Sequence, residues 1–394
     1  MTSSDQSTSP SRLGNDELKD IREAVRRLCE DFPGSYWRGL EPSNYPTEFV
    51  QALTENGWLA ALIPEQYGGS GLNLTAAAVI LEEISASGGN PSACHAQMYV
   101  MGTVLRHGSE EQKSHWLPRV ANGELRLQAF GVTEPEAGSD TTQIRTMARR
   151  TESGYRIDGQ KIWTSRAEHS DLMVLLARTT TIEETERKTE GLSVFLVDMK
   201  AAGEALTIRP IKTMMNHATT EVFIDGLEVP ESARIGAEGA GFRYILDGMN
   251  AERILIASEC VGDGHWFIEK GARYASERTV FGRPIGANQG VQFPLARSHA
   301  AIEAASLMRY RAAELFEAGE KCAAEANMAK LLASEASWRA ANACLDAHGG
   351  FGFAEEYDVE RKFRETRLYQ TAPVANNLVL AFLGQHALGM PRSY

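Results

Sequence analysis

Thr133-Glu134-Pro135-Glu136-Ala137-Gly138-Ser139-Asp140 is the stretch on which the reading of this chain turns. Pro135 and Gly138 shape a loop after a strand-like run, and Thr133 and Ser139 bring hydroxyls and backbone N–H groups to it. Such groups meet the carbonyls and ring nitrogens of a ligand without introducing a charge. The sequence on either side of the loop changes period. Upstream, from Asp16 to about Gly123, apolar residues recur at helical steps: Leu18, Ile21, Val25 and Leu28, then the stretches 74–87 and 96–106. Pro64-Glu65-Gln66-Tyr67-Gly68-Gly69-Ser70-Gly71 interrupts them as a glycine-rich connection. Around the loop, from about Leu125 to Glu231, the segments are short and β-type. Tyr155-Arg156-Ile157 and Lys161-Ile162-Trp163 flank Asp158-Gly159, which predicts a tight hairpin turn. Residues 172–176 and 192–197 are further strands, and 222–224 leads into a second Asp-Gly at 225–226. From Gly239 onward long helical patterns return at 241–276, 292–319, 321–347 and 375–387, separated by short turns as a bundle requires. The expected class is α+β: a tail at 1–15, an N-terminal helical domain at 16–124, a middle β domain at 125–235 and a C-terminal helix bundle at 236–394.

Composition bounds the task. A chain of 394 residues allows two to three domains of roughly 150 residues each. No apolar run approaches the ~18 residues of a membrane-spanning helix, so no membrane partner is expected. The net charge of -12 argues against nucleic acid, whose phosphates require a basic face. Cys29, Cys94, Cys260, Cys322 and Cys344 are scattered, with no C-x-x-C pair, so a disulfide framework and a zinc site are both disfavoured. A reducing, cytoplasmic setting and a small-molecule substrate are expected. His95 adjoins Cys94, but no other His or Cys lies at ligand spacing. It reads as a packed or polar-lining histidine, and no metal is expected. The opening residues are polar, with Arg12 the one basic side chain, and read as a frayed tail rather than a targeting segment.

Four separated segments together resemble the acyl-CoA dehydrogenase family over nearly the whole chain. The resemblance implies an N-terminal helical domain, a middle β-barrel-like domain, a C-terminal four-helix bundle and an FAD cofactor. The opening stretch is similar to the family's T-E-P-x-A-G-S-D signature, which implies that Phe130, Val132, Thr133, Gly138 and Ser139 border the flavin. Gly159-Gln160-Lys161-Ile162-Trp163-Thr164-Ser165-Arg166-Ala167 resembles the G-x-K-x-W-I-T-N stretch. There Trp163 would cover the flavin ring and a hydroxyl, Ser165 or Thr164, would bond near its N5; Arg166 stands where the family has Asn. Glu277-Arg278-Thr279-Val280-Phe281-Gly282-Arg283-Pro284-Ile285 with Gln289 is similar to R-x-x-F-G-x-x-I…Q. It implies that Arg278, Thr279, Phe281 and Gln289 contact the FAD of a neighbouring subunit, an Arg supplying charge-assisted bonds to phosphate. His348-Gly349-Gly350-Phe351-Gly352-Phe353 would bring Gly349 and Gly350 close to the dinucleotide. Asp346 occupies the usual Gln position there, and Ala375 and Asn377 complete the cofactor set.

The family's reaction takes a proton from Cα of an acyl thioester and passes a hydride from Cβ to flavin N5, giving a trans-2-enoyl-CoA. It needs a carboxylate base and donors to the thioester carbonyl. Many members carry that base as Glu in a Y-E-G-T motif. Here the segment is Thr371-Ala372-Pro373-Val374-Ala375-Asn376-Asn377, with Pro373 at the Glu position and no Asp or Glu after Glu365. Met249-Asn250-Ala251-Glu252-Arg253-Ile254-Leu255-Ile256-Ala257 instead resembles the subgroup with its base on a bundle helix, as in isovaleryl-CoA and long-chain enzymes. Glu252 is the expected base. Met249, Leu255 and Ile256 place its helix in the core, where burial raises a carboxyl pKa. The alternative is an ion-paired or solvent-facing residue. Ser139, Met249, Asn250 and Arg253 match the CoA side. Proline lacks the N–H that family members aim at the thioester carbonyl; Asn376 or a one-residue register shift are the candidate replacements. Small residues at 86–89 and Ala93 either widen a pocket or serve helix packing.

The resemblance implies an acyl-CoA substrate, electron-transfer flavoprotein as acceptor and a homotetramer. A second reading is a flavin-dependent oxidase, monooxygenase or desulfinase on the same fold, motivated by Pro373. A third, a DNA-associated relative, conflicts with the acidic charge.

Overall fold

A computed structural model describes residues 15–393. The expected tail lies outside these residues except for Asn15, which opens the first helix. The N-terminal domain comprises α1 (Asn15–Glu30), α2 (Gly34–Gly39), α3 (Thr47–Glu55), α4 (Leu74–Ala86), α5 (Ser92–His107) and α6 (Glu110–Ala121). Side chains stop the helices where the sequence offers them: the Ala76 N–H donates to Asn73 at the start of α4, and Ser109 and Gln112 form a reciprocal capping box on α6. α4 is apolar almost all round and is buried along its length.

The middle domain holds β1 (Leu127–Gly131), β2 (Met147–Arg150), β3 (Gly154–Ser165), β4 (Leu172–Arg178), β5 (Leu192–Asp198), the short α7 (Met199–Ala202), β6 (Leu206–Pro210), β7 (Thr219–Pro230) and β8 (Arg234–Ile235). Its sheet runs β6-β7-β3-β2-β4-β5-β8, with β1 added beside β4. The hairpin expected at Asp158-Gly159 is absent. Both Asp-Gly pairs lie inside continuous strands, β3 and β7, and face one another across the antiparallel ladder, whose register shifts between Ile157 and Gly159. The Gly226 N–H donates to Asp158 Oδ1 at 2.8 Å, and Gly226 takes φ +61°. Two potential turns thus cancel into a paired bulge, and the actual reversal before β3 falls at 151–154, where the Thr151 N–H donates to the Gly154 carbonyl.

The C-terminal domain has α8 (Gly241–Glu277), a two-stranded ribbon of β9 (Thr279–Val280) and β10 (Arg283–Pro284), α9 (Gln289–Glu317), α10 (Ala323–His348), α11 (Val359–Arg367) and α12 (Asn376–Phe382). α8, α9 and α10 pack mutually, α11 lies on α10, and α4 lies against α8. The predicted helix at 375–387 widens after Phe382 into a π turn over Leu383–Ala387. One apolar core joins α1, α4, α5 and the bundle; another joins α5 and α6 to the sheet. At Gly262 a Cβ would meet the Glu82 carbonyl oxygen and Ser85, so this glycine lets α8 and α4 touch backbone to backbone.

Candidate active site

The opening loop is held by a buried ion pair that ties two of the sequence segments together. Lys161 of β3 donates to Glu134 Oε1 at 2.8 Å and to the Val132 carbonyl at 3.0 Å. Glu134 also accepts the Arg145 and Thr146 N–H groups. Burial works to raise the Glu134 pKa, yet Lys161 and these bonds hold it below the ordinary range, while burial draws Lys161 down to about 8. Phe130, Val132 and Thr133 are buried or half-buried as the strand enters, and Gly138 and Ser139 are exposed at the loop's tip.

Two strained residues mark the end of β3: Trp163 within it and Arg166 just after it both have φ +60°. Ladder register shifts between Ile162 and Thr164, which turns the Trp163 indole outward to 57% exposure. Thr164 is buried, with an unpartnered Oγ1, whereas Ser165 is half-buried. Ser165 is therefore the more accessible of the two hydroxyls.

Glu252 sits on the fourth turn of α8, 7% exposed. It has no hydrogen bond or ion pair among the described residues. Burial, aided by the Glu259 carboxylate, pushes its pKa up to about 6 against the pull of His95 and Arg253. His95 on α5 lies against α8: its Nδ1 is 2.6 Å from Glu259 Oε1, its ring meets Tyr99 edge-on, and its Nε2 is buried without a partner. It is a buried histidine packed between α5 and α8 and held by a carboxylate. Among the described residues no three His, Cys, Asp or Glu side chains gather as a metal site. Arg253 donates to Asn250 Oδ1 at 3.2 Å, and Met249 is half-buried beside them.

The remaining predicted residues form a second locus. Arg278, Asp346, Gly349 and Gly350 line one cavity of about 560 Å³ with Tyr274 and Phe351; a Cβ at either glycine would meet nothing. Thr279, Phe281 and Gln289 are exposed at or near the ribbon, Phe281 completely. Ala375 caps α12 and Asn377 is exposed. Asn376 accepts from Lys330 Nζ at 2.7 Å and donates to Ser334 at 3.1 Å. Its amide is thus occupied holding the Pro373 loop to α10. An uncovered indole beside a reachable hydroxyl, and a roomy cleft with a guanidinium and bare glycine backbone, fit the two ends of a flavin dinucleotide.

Sequence reading missed the Glu259 partner of His95 and the burial of Arg166. The first lies 164 residues away on another helix. The second had one signal, an Arg where the resembled motif carries Asn.

The chain matches three family models in succession: the acyl-CoA dehydrogenase N-terminal domain over residues 15–124, the middle domain over 129–227 and the C-terminal domain over 239–383. It is 33% identical over 391 residues to acyl-CoA dehydrogenase FadE12 of Mycobacterium tuberculosis, covering 98% of this chain and 100% of that protein. Among solved structures, the glutaryl-coenzyme A dehydrogenase glutaryl-CoA complex superposes with a TM-score of 0.88 at 28% identity, covering 97% of this chain and 98% of the other. The FAD complex of PigA does so with a TM-score of 0.88 at 26% identity, over 96% and 99%. No described helix is long and apolar enough to cross a membrane. Fold and sequence agree: the chain belongs to the acyl-CoA dehydrogenase family and is an FAD-dependent oxidoreductase.

Proposed function

We propose that the chain dehydrogenates an acyl-CoA thioester between Cα and Cβ to the trans-2-enoyl-CoA, with Glu252 taking the Cα proton. The observation that carries this is a buried carboxylate on α8 with no hydrogen-bond or ion-pair partner among the described residues, its pKa raised to about 6. A structural carboxylate in such a place would be paired; a base must be free to accept a proton near neutrality. Bound FAD supplies the hydride acceptor. Trp163 and Ser165 would hold the flavin ring, with Thr133, Gly138 and Ser139 along its edge. Arg253, oriented by Asn250, would meet the CoA side, with Ser139 and Met249 nearby.

Arg278 follows the last turn of α8, and 26 residues of helix separate it from Glu252, about 39 Å. One dinucleotide cannot reach both from the same chain, which supports FAD sites shared between copies and a homotetramer. Electron-transfer flavoprotein is the proposed acceptor. Pro373 removes one carbonyl donor and Asn376 is occupied, so the oxidase, monooxygenase or desulfinase alternative stays testable. Anaerobic mixing of the holoenzyme with acyl-CoA thioesters is expected to bleach the flavin and yield enoyl-CoA. Bleaching by none of them, with turnover appearing only under oxygen, would favour the alternative.

A further inference from the structure

Seven Lys and Arg side chains among the described residues are buried, and six of them have a carboxylate or at least two oxygen acceptors. Lys161 pairs with Glu134, Arg309 with Glu82, Arg361 with Glu365 and Lys362 with Asp263. Arg178 donates to four backbone carbonyls. Lys330 donates to the Val374 carbonyl and Asn376. Arg166 is the exception. It is 5% exposed, and the one side-chain partner of its guanidinium is His217 Nδ1, at 3.2 Å. A neutral imidazole nitrogen cannot balance a guanidinium, and an unmet buried charge is costly.

The surroundings are arranged so that no protein acid fills the gap. Arg166 lines a cavity between α2, α5, the end of β3 and α11, with Ala93, Tyr45 and His217 among the other walls. Two acids share that lining and each is already taken: Glu41 by Arg364, and Glu365 by Arg361 and Lys362. Glu259 exerts an attraction on Arg166 but is bonded to His95. The cavity adjoins residues of the proposed site: Arg166 directly follows Ser165, and Ala93 in its lining lies on α5 two residues before His95. His95, whose Nε2 has no partner, acts on Glu252 and on His217 alike.

We propose that the acyl group carries a second carboxylate, remote from the thioester, which Arg166 binds and His95 Nε2 helps to position. This rests on the dehydrogenase reading above. An alkyl tail would leave the guanidinium unmet; a carboxylate supplies the charge-assisted bonds it lacks.

The test is a panel of plain and ω-carboxylated acyl-CoA thioesters of equal chain length, from four to eight carbons, given to the holoenzyme with an artificial electron acceptor. At the favoured length the carboxylated thioester is expected to exceed its plain counterpart in kcat/KM by roughly 100-fold. Arg166→Gln should collapse that ratio through KM for the carboxylated series, and Arg166→Lys should recover part of it. Plain thioesters equalling or surpassing carboxylated ones at every length in the wild type would overturn the proposal while leaving the dehydrogenase reading intact. So would an equal loss on both series in Arg166→Gln, which would assign the residue to the flavin or the scaffold. Flavin reduction by neither series would instead sink the dehydrogenase reading itself.

Discussion

Glu82 and Glu252 lie on two helices in direct contact, α4 and α8, and both are almost wholly buried. Their carboxylates nevertheless differ in kind. Glu82 is gripped by Arg309 at 2.8 Å and Arg22 at 3.1 Å. Burial would raise its pKa, but the two guanidinium groups win and hold it below the ordinary value. Glu252 has no such partner, so burial wins and its pKa rises to about 6. Burial alone therefore does not mark a reactive acid; burial without a partner does. The pH dependence follows with opposite signs. Stability from Glu82 is present above the unfolded carboxyl value near 4.5 and is lost as pH falls through its depressed folded value. Stability from Glu252 is full below 4.5 and is lost as pH rises through about 6.

The sharpest way to break the contrast is Glu252→Gln. Substrate-driven flavin reduction should fall by on the order of 10³–10⁴-fold with FAD still bound; rapid-mixing absorbance showing wild-type bleaching would end the assignment. In the wild type, kcat/KM should decline below about pH 6, tenfold per pH unit on the acid side. A flat profile between pH 5 and 8 would point to another base. Glu82→Ala comes next. It leaves Arg309 buried and uncompensated, so the loss should be about 3–5 kcal/mol in denaturant melts; under 1 kcal/mol would show the network to be ornamental. Gly262→Ala forces α8 off the α4 backbone that both carboxylates depend on, at a cost of about 1–3 kcal/mol. The smallest effect is the most diagnostic. Glu252→Gln should stabilise the fold at pH 7.5 by about 1–2 kcal/mol, a gain that vanishes near pH 4.5. An inactive variant that is no more stable at pH 7.5 would mean that Glu252 has a partner after all.

Local chemistry explains what the sequence made legible. Helix periods and the loop around Pro135 and Gly138 are short-range patterns, and they led to the three domains; the resemblance of residues 249–257 to a family motif, with the loss of acids after Glu365, led to Glu252. What was hidden depends on distance. Asp158-Gly159 has every local mark of a turn, and only the second Asp-Gly on the facing strand converts it into a bulge. Glu82 and Glu83 find their partners, Arg22 and Arg309, only on helices far along the chain. Thr164 and Ser165 were indistinguishable until the shift in the β3 ladder buried one and left the other accessible. Arg166 was visible as a substitution, but its lack of an acid is a property of the folded neighbourhood.

α8 is also a ruler. Glu252 and Glu259 are seven residues apart, two turns on one face, a rise of about 10.5 Å. That interval separates the proposed proton acceptor from the carboxylate that holds His95. Because the helix is anchored at Gly241 against Ser193 and at Gly262 against α4, its marks cannot slide. Deleting one residue between them would swing Glu259 by about 100° around the axis. The spacing along α8 therefore keeps both carboxylates on one face only if it changes in whole turns.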